Sequence, residues 1–372
     1  MDFQYSDEQE MLRDTTATLL SRAYDAEKRN QVIDTELGWS REVWGQLAEV
    51  GLLGLTFSEE DGGMDAGPVE VHAVLTEVGR RLAPEPIIDC VLTPGGLIAE
   101  LGSVEQRKVL ADVAEGSVLL AFAHQEPGVR WPSTELSTVA THDGGVWTIS
   151  GRKNPVPHGD CADRIVVSAA LPDGGVGLFV VDAAAVARRG YKTFDGQRAA
   201  QLDFDGVVAE PLGDGGDATA AIAASDVRTQ AALCAEAVGA MEEALRLTTE
   251  YLKTRKQFGV TLSKFQALTF RAADMYVSLE LARSMAAYAT MAVADGTVDP
   301  VIASRAKLQI GRSGRHIGQE AIQLHGGIGM TAEYPVGHYT GRLAAIDRLL
   351  GSSDDHLRAL AANVGSYDLA EL

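Results

Sequence analysis

Two pairs of residues in this sequence could contact an anionic ligand, and each pair follows a segment of helical character. Arg255 and Lys256 end a long alanine-rich segment, and a guanidinium suits a bidentate contact with phosphate. Gly326 and Gly327 end a later segment, and their missing side chains would let a ligand approach the backbone. Taken alone, a solvated helix end and a helix C-cap also account for these residues.

The other reactive side chains lack the spacing of a metal site or a disulfide framework. The cysteines are odd in number, far apart and without CxxC spacing, so we expect free thiols at Cys90, Cys161 and Cys234. Three histidines lack metal-ligand spacing to another His, Cys or Asp, and we interpret them as structural: His124, His158 and His338. The sequence therefore predicts no metal site.

Composition disfavours several classes of partner. The chain has 372 residues, 46% of them apolar, which is ordinary for a globular protein of two or three structural units. Its formal net charge of −20 disfavours nucleic acids and anionic membranes, which are themselves negatively charged. The first residues lack the basic and apolar regions of a secretory signal, and no apolar run has membrane-spanning length. We therefore expect a cytoplasmic protein.

The spacing of apolar residues changes twice along the chain. Helical spacing dominates at the start, where Ser6 and Ser40 are candidate N-caps. Short β-branched runs with Asp-Gly turns follow from about 118 to 210, and long helical segments resume from about 217. We predict an α+β protein with an N-terminal helical domain (1–116), a central small antiparallel β-barrel domain (117–216) and a C-terminal four-helix-bundle domain (217–372).

Several motifs occur in the order typical of one enzyme family. They are SEEDGG, QEPG, TRKQFG, KFQAL and QLHGGIGMTAEYPV. With these motifs the chain resembles the acyl-CoA dehydrogenase family over nearly its full length. Finer segments are similar to the small subunit of pimeloyl-CoA dehydrogenases, namely GWSREVW, YLKTRKQFGV, QIGRSGRHIGQ and VGHYTGRL.

The resemblance implies FAD-dependent removal of two hydrogens from an acyl-CoA thioester. In the family a glutamate takes the α proton, either from a position before a Gly-Thr or Gly-Ser pair or from the long helix before RKxFG. Leu350 and Thr229 stand at those positions here, and neither can accept the proton. Asp347, Asp354 and Asp355 are candidate substitutes nearby, and their alternative role is to carry charge at helix ends.

The resemblance also implies that each FAD is held by two chains. One chain holds the flavin ring with its β-domain, and its neighbour holds the pyrophosphate and adenosine with the RKxFG and GGxG segments. This sequence keeps the second group of residues: Arg255, Gln257, Phe258, Phe265, Gln266, Gln323, His325, Gly326 and Gly327.

The residues that hold the flavin ring in the family are largely replaced. The family pattern TEPGxGSD reads QEPGVRWP here, which leaves Gln125 and Glu126 as weaker cofactor candidates. Trp131 is large enough to fill space that a ring needs, unless it is a core or interface tryptophan. The family's Trp-Ile-Thr becomes Pro-Val-Pro at 155–157, and proline has no N–H to donate.

Four functions follow as hypotheses. The favoured one is a small subunit that completes the FAD site of a catalytic partner chain, in a heterotetramer with two copies of each chain. The second is a self-sufficient acyl-CoA dehydrogenase, a dimer or tetramer of this chain, with a displaced base such as Asp347, Asp354 or His325. A flavin monooxygenase on the same fold and a scaffold without ligands are the others. Electron transfer to an electron-transferring flavoprotein is implied by the resemblance.

Overall fold

The computed structural model describes residues 5–133 and 135–366. The first helices are α1 (Asp7–Ala23), α2 (Ala26–Ile33), α3 (Arg41–Glu49), α4 (Pro68–Arg81), α5 (Thr93–Leu101), α6 (Val104–Arg107) and α7 (Val109–Ala114). The strands that follow are β1 (Leu120–Ala123), β2 (Val139–Asp143), β3 (Val146–Pro157), β4 (Arg164–Ala170), β5 (Val176–Asp182), β6 (Ala187–Lys192) and β7 (Arg198–Pro211). The later elements are α8 (Thr219–Thr254), β8 (Lys256–Gln257), β9 (Val260–Thr261), α9 (Gln266–Ala294), α10 (Pro300–His325), α11 (Val336–Arg348) and α12 (Ser353–Ala362). Within the described ranges, no helix is both long and apolar enough to cross a membrane.

Both predicted N-caps are confirmed. Ser6 Oγ accepts a hydrogen bond from Gln9 N, and Gln9 Oε1 accepts one from Ser6 N, which forms a capping box at the start of α1. Ser40 Oγ accepts from Val43 N at the start of α3. Because these bonds are local and satisfy otherwise unpaired N–H groups, the sequence alone is enough to place both helix starts.

The predicted β-barrel is also confirmed. Strands β2, β3, β7, β5 and β4 pair in that order, and β4 pairs again with β2, so the sheet closes on itself. β1 and β6 extend it at β4 and β7. Its hydrophobic core includes Ile149, Val167, Phe179 and Leu202. Most pairs are antiparallel as predicted, but β1 and β2 run parallel to β4.

Strands β2 and β6 do not follow from the sequence pattern. Their sequences, VATHD and ARRGYK, carry few apolar residues, and most of their side chains are exposed. Each strand is fixed by pairing with a longer neighbour, β2 with β3 and β6 with β7. Non-local pairing therefore outweighs local preference at both places.

The chain forms two compact units. The helical unit consists of the described residues of Met1–Glu27, His72–Ala83 and Gln230–Leu372. The barrel unit consists of Lys28–Val71 and Pro84–Thr229, and it contains β1 to β7. The three domain ranges given above stay a prediction.

Glycines let two helices of the helical unit approach closely. A Cβ added at Gly239 on α8 would lie 1.8 Å from Thr76 O on α4. A Cβ added at Gly79 on α4 would lie 1.9 Å from Glu236 O on α8. Since any side chain at either position would collide with backbone, the glycines fix this helix crossing.

Candidate functional site

The basic pair opens a short hairpin directly after α8. Strands β8 and β9 pair across a turn that contains Phe258 at φ 53° and Gly259 at φ 82°. Positive φ at both central residues is typical of a tight hairpin turn. The turn leaves Phe258 with 91% of its surface exposed, and Arg255 and Gln257 are exposed as well. In the described part of the chain, no carboxylate pairs with Arg255, so its guanidinium can bind an external anion.

The glycine pair ends α10, as predicted. Gly326 caps the helix at φ 66° and ψ −143°, a conformation that glycine adopts far more readily than other residues. A Cβ built on Gly326 or Gly327 would meet no atom within 4 Å, so packing within the chain does not explain the missing side chains. The backbone of this turn is therefore open to a ligand.

An aromatic cluster holds the end of α8 beside the glycine turn. The His325 ring packs against Tyr251 of α8 at 4.5 Å and against Tyr334 at 4.8 Å between centroids. Burial lowers the pKa of His325, so the ring is neutral. Nδ1 donates to Ala321 O at 2.7 Å, and Nε2 accepts from the Tyr334 hydroxyl at 3.2 Å. With both nitrogens engaged, His325 lies beneath the predicted ligand surface and positions the turn.

The start of α9 completes the same surface. Phe265 packs edge-on against Phe258 with 6.2 Å between ring centroids. Arg271 makes a bidentate ion pair with Glu320 at 2.5 and 2.9 Å, which ties the first turns of α9 to the last turns of α10. The predicted residues exposed on this surface are Arg255, Gln257, Phe258, Gln266, Gln323, Gly326 and Gly327.

We call this region the hairpin surface, defined as residues 255–266 and 323–327. It offers an available guanidinium, two further exposed cations at Lys256 and Lys264, an exposed aromatic ring and open backbone. These groups suit a ligand that joins phosphates to an aromatic ring system. Within residues 5–133 and 135–366, no group of three or more His, Cys, Asp and Glu side chains could hold a metal ion.

The first predicted base position carries a hydrocarbon side chain. Leu350 is half-buried in the turn between α11 and α12 at φ 52°, a left-handed conformation that is uncommon for leucine. Its carbonyl accepts hydrogen bonds from Gln230 Nε2 at 3.3 Å and His356 Nε2 at 3.0 Å. These two hydrogen bonds hold the turn in place, but the Leu350 side chain has no group that accepts a proton.

The neighbouring aspartates have structural surroundings. Asp347 is 7% exposed, accepts a backbone N–H at 3.0 Å and lies 3.6 Å from the Arg315 guanidinium. Asp354 is exposed on the first turn of α12. Asp355 forms a capping box with Ser352, which is the N-cap itself. Contacts at helix ends thus engage Asp347 and Asp355, and their role as substitute bases stays a prediction.

A carboxylate that the sequence pattern did not single out lies one helical turn from the second base position. Thr229 on α8 shares a hydrogen bond with Thr93, with 2.9 Å between the hydroxyl oxygens. Asp226, three residues earlier on α8, accepts from Trp131 Nε1 at 2.9 Å. Burial raises the pKa of Asp226 to about 6, although the Trp131 hydrogen bond acts in the opposite direction. The only sequence feature that pointed to Asp226 is its spacing of three residues from Thr229, which puts both on one helix face.

The two weaker cofactor candidates take part in the internal structure of the barrel unit. The Gln125 carbonyl accepts a backbone hydrogen bond from β3 at 2.8 Å. Glu126 is 4% exposed and pairs with the fully buried Lys153 at 2.9 Å. Burial would raise the pKa of Glu126, but hydrogen bonds from Ser137 and Thr138 lower it to about 2. Glu126 is therefore the ionised partner of Lys153.

Comparison with protein families gives consistent matches at both ends of the chain. The model described as "Acyl-CoA dehydrogenase, N-terminal domain" matches residues 6–117, and "Acyl-CoA dehydrogenase, C-terminal domain" matches 227–365. The acyl-CoA dehydrogenase IpdE2 of Mycobacterium tuberculosis is 31% identical over 362 residues, which covers 96% of this chain and 98% of that relative.

Solved structures give the same result. A variant of the steroid ACAD Tcur3481-Tcur3483 is similar with a TM-score of 0.89 and 32% identity, over 97% of this chain and 98% of that one. A chain of the ChsE4-ChsE5 complex from Mycobacterium tuberculosis is similar with a TM-score of 0.90 and 25% identity, over 99% of this chain and 100% of that one.

Proposed function

Because this chain belongs to the acyl-CoA dehydrogenase family, we propose that it is the non-catalytic subunit of a heteromeric, FAD-dependent acyl-CoA dehydrogenase. It supplies the dinucleotide-binding half of a flavin site, and a partner chain supplies the ring-binding half and the catalytic glutamate. The observation that carries the proposal is Leu350, a hydrocarbon side chain in a turn that Gln230 and His356 hold in place.

The hairpin surface fits the pyrophosphate and adenosine end of FAD. Arg255 offers a fixed cation, and no carboxylate among the described residues pairs with it. The turn at Gly326 and Gly327 leaves room for a ligand beside the backbone. When bound, FAD, the cofactor of the family, would supply the hydride acceptor that dehydrogenation of a thioester requires. The residues that would hold its dinucleotide end are Arg255, Gln257, Phe258, Phe265, Gln266, Gln323, Gly326 and Gly327, with His325 beneath them.

The barrel unit does not fit the flavin ring in the way the family does. The Trp131 indole is held in place by its hydrogen bond to Asp226. Glu126 is occupied by Lys153 and by backbone donors on Ser137 and Thr138, just before β2. The prolines at 155 and 157 have no N–H to offer a ring. These replacements favour an arrangement in which another chain binds the flavin ring.

The names of similar structures support the heteromeric part of the proposal. One structure is named Tcur3481-Tcur3483, and another is the ChsE4-ChsE5 complex. A chain that is similar to components of such pairs, and that lacks a glutamate at both family positions, fits the role of a second component.

An arginine variant tests the dinucleotide half. In the complex with the catalytic partner, Arg255→Gln should weaken FAD binding about 10- to 100-fold, because a charge-assisted hydrogen bond to phosphate is lost. Lys253→Gln is the matched control, since Lys253 is an exposed cation on the last turn of α8 outside the hairpin surface. Flavin fluorescence during dialysis measures how much FAD each variant retains. FAD retention by Arg255→Gln equal to that of the control would contradict the proposal.

Asp226 favours a second candidate, a self-sufficient acyl-CoA dehydrogenase with a displaced base. A carboxyl group with a pKa of about 6, one helical turn from a family base position, has suitable basicity for proton abstraction near neutral pH. Assays of the purified chain with acyl-CoAs and an artificial electron acceptor separate the two candidates. Turnover that disappears in Asp226→Asn, with FAD retained, would establish the second candidate and exclude the first.

A further inference from the structure

A cavity of about 670 Å³ lies within the helical unit, and the proposed function does not use it. Its sides are one face of His72–Arg80 on α4 and one face of Arg283–Met291 on α9, so we call it the α4–α9 groove. No residue of the hairpin surface lines it. Cavities of this size commonly hold small organic ligands. The lining residues from other parts of the chain are Tyr5, Arg13, Val238 and Glu242.

The α4–α9 groove has a charged end and an uncharged end. At the charged end, Glu242 accepts hydrogen bonds from Arg80 Nη2 and from Arg283 Nε, the latter at 2.7 Å. At the other end, His72 Nδ1 lies 3.0 Å from Thr290 Oγ1. Burial lowers the pKa of His72 to about 4, so the ring is neutral near neutral pH. The two helices therefore run antiparallel along the groove, with their charges gathered at one end.

The exposed charges at the charged end belong to arginine. The side chains of Arg80 and Arg283 are 30% and 41% exposed, whereas those of Glu77 and Glu242 are 6% and 12% exposed. Glu77 accepts from Arg80 Nε at 3.0 Å, so the carboxylates lie behind the guanidinium groups and fix their orientation. Arg80 Nη1 donates to no acceptor in the described part of the chain, which leaves it available to a ligand.

The balance of charge along the lining favours an anionic head group. Arg13 adds a third guanidinium to those of Arg80 and Arg283, against the two carboxylates already named. Arg13 also pairs with Asp14 at 3.0 Å, and Arg283 pairs with Glu280, but neither of these acids lines the groove. An excess of cations inside a chain with a net charge of −20 suits an anion rather than a cation.

The rest of the groove suits an alkyl chain. Its lining includes Ala73 beside the neutral histidine, Ala287 and Met291 on α9, and Val238 on α8. The helical stretch that forms one side, His72–Arg80, spans about 12 Å, which is about the length of an extended carboxylate of ten carbons. An alkyl chain placed there would leave water for an apolar surface.

We propose that the α4–α9 groove binds an amphipathic carboxylate, such as a straight-chain fatty acid of about ten carbons. Arg80 and Arg283 hold its head group through charge-assisted hydrogen bonds. Its chain lies along Ala73, Ala287 and Met291 and ends near the neutral His72 ring.

Calorimetric titration of the folded full-length chain with fatty acids of different length tests the proposal. One decanoate should bind per chain, and each CH2 added between hexanoate and decanoate should raise the affinity about fourfold. Tetradecanoate should gain little over decanoate, because its additional carbons extend beyond the groove. The measurement involves neither FAD nor turnover, so its outcome is independent of the proposed function.

A comparison of head groups needs no variant to fold. Decan-1-ol and decyltrimethylammonium carry the same alkyl chain as decanoate but no negative charge. The wild type should bind decanoate at least about tenfold more tightly than decanol, and the ammonium compound should bind most weakly. Absence of decanoate binding, or equal affinities for decanoate and decanol, would overturn the proposal.

Variants locate the site in the groove. Arg283→Gln should weaken decanoate binding about tenfold or more, and Ala287→Phe should abolish it by filling the space for the chain. Arg246→Gln is the matched control, because Arg246 is an exposed arginine of α8 with two glutamate partners outside the groove. It should bind decanoate like the wild type. Circular dichroism confirms that each variant is folded. Wild-type affinity in folded Arg283→Gln and Ala287→Phe would overturn the proposal.

Discussion

At the scale of single residues, the ion pair of Glu126 with Lys153 shows that a residue of the QEPG motif has an internal role. Lys153 is fully buried and also donates to His124 O at 3.0 Å and to Ser168 Oγ at 3.2 Å. A buried ammonium that loses its carboxylate keeps only neutral hydrogen-bond acceptors and lacks a counterion, so such pairs are costly to break. The sequence motif identified Glu126, but the structure identifies its partner.

Removing that carboxylate should destabilise the fold. Glu126→Gln is expected to lower the free energy of unfolding by about 3–5 kcal/mol, because Lys153 loses its buried counterion. Arg164→Gln is the control, since it breaks an exposed ion pair with Asp182 in the same sheet and should cost about 0–1 kcal/mol. Urea denaturation measures the free energy of unfolding of both variants. A similarly small decrease in both would show that the buried pair does not stabilise the fold.

The contact between Trp131 and Asp226 predicts a measurable pKa change. The indole N–H stabilises the ionised carboxylate, so Trp131→Phe should raise the pKa of Asp226 above its value of about 6. Trp147→Phe serves as control, because Trp147 lies in the sheet and stacks on His142 instead of bonding to Asp226. NMR titration of the carboxyl carbon gives the midpoint in each variant. An unchanged or lower midpoint in Trp131→Phe would mean that the hydrogen bond does not form in solution.

At the scale of elements, the crossing of α4 and α8 positions the helix that ends at the hairpin surface. Gly239→Ala should destabilise the helical unit by about 2 kcal/mol or more, because the added methyl group collides with Thr76 O. Gly45→Ala is the matched control: Gly45 lies in α3 with nothing within 4 Å of an added Cβ. That change should stabilise by up to about 1 kcal/mol through helix propensity. Thermal denaturation compares the stabilities of the two variants. A Gly239→Ala variant as stable as the wild type would contradict the close approach of α4 and α8.

Elements fixed by local interactions could be predicted from the sequence, whereas those fixed at a distance could not. Ser6 and the glycine end of α10 act on their own neighbours, and both predictions are confirmed. Strands β2 and β6 depend on partners elsewhere in the chain. Asp226 owes its position to an indole 95 residues away, so its spacing alone gave only a weak signal.

At the scale of the whole molecule, the proposed function assigns different roles to the two units. In the barrel unit, residues at ring-binding positions are engaged in internal contacts or are prolines. In the helical unit, the hairpin surface keeps an exposed arginine, an exposed ring and an open glycine turn. In the proposed function the base is lost and the dinucleotide contacts are kept, which is the pattern expected of a subunit that serves a partner's flavin.

The number of flavins per chain tests this division of labour most directly. Co-purified with its catalytic partner, the chain should form a complex that contains one FAD for every two chains and oxidises an acyl-CoA. Purified alone, it should neither retain FAD nor turn over an acyl-CoA with an artificial acceptor. A homomeric preparation with one FAD per chain and acyl-CoA oxidation of its own would contradict the account.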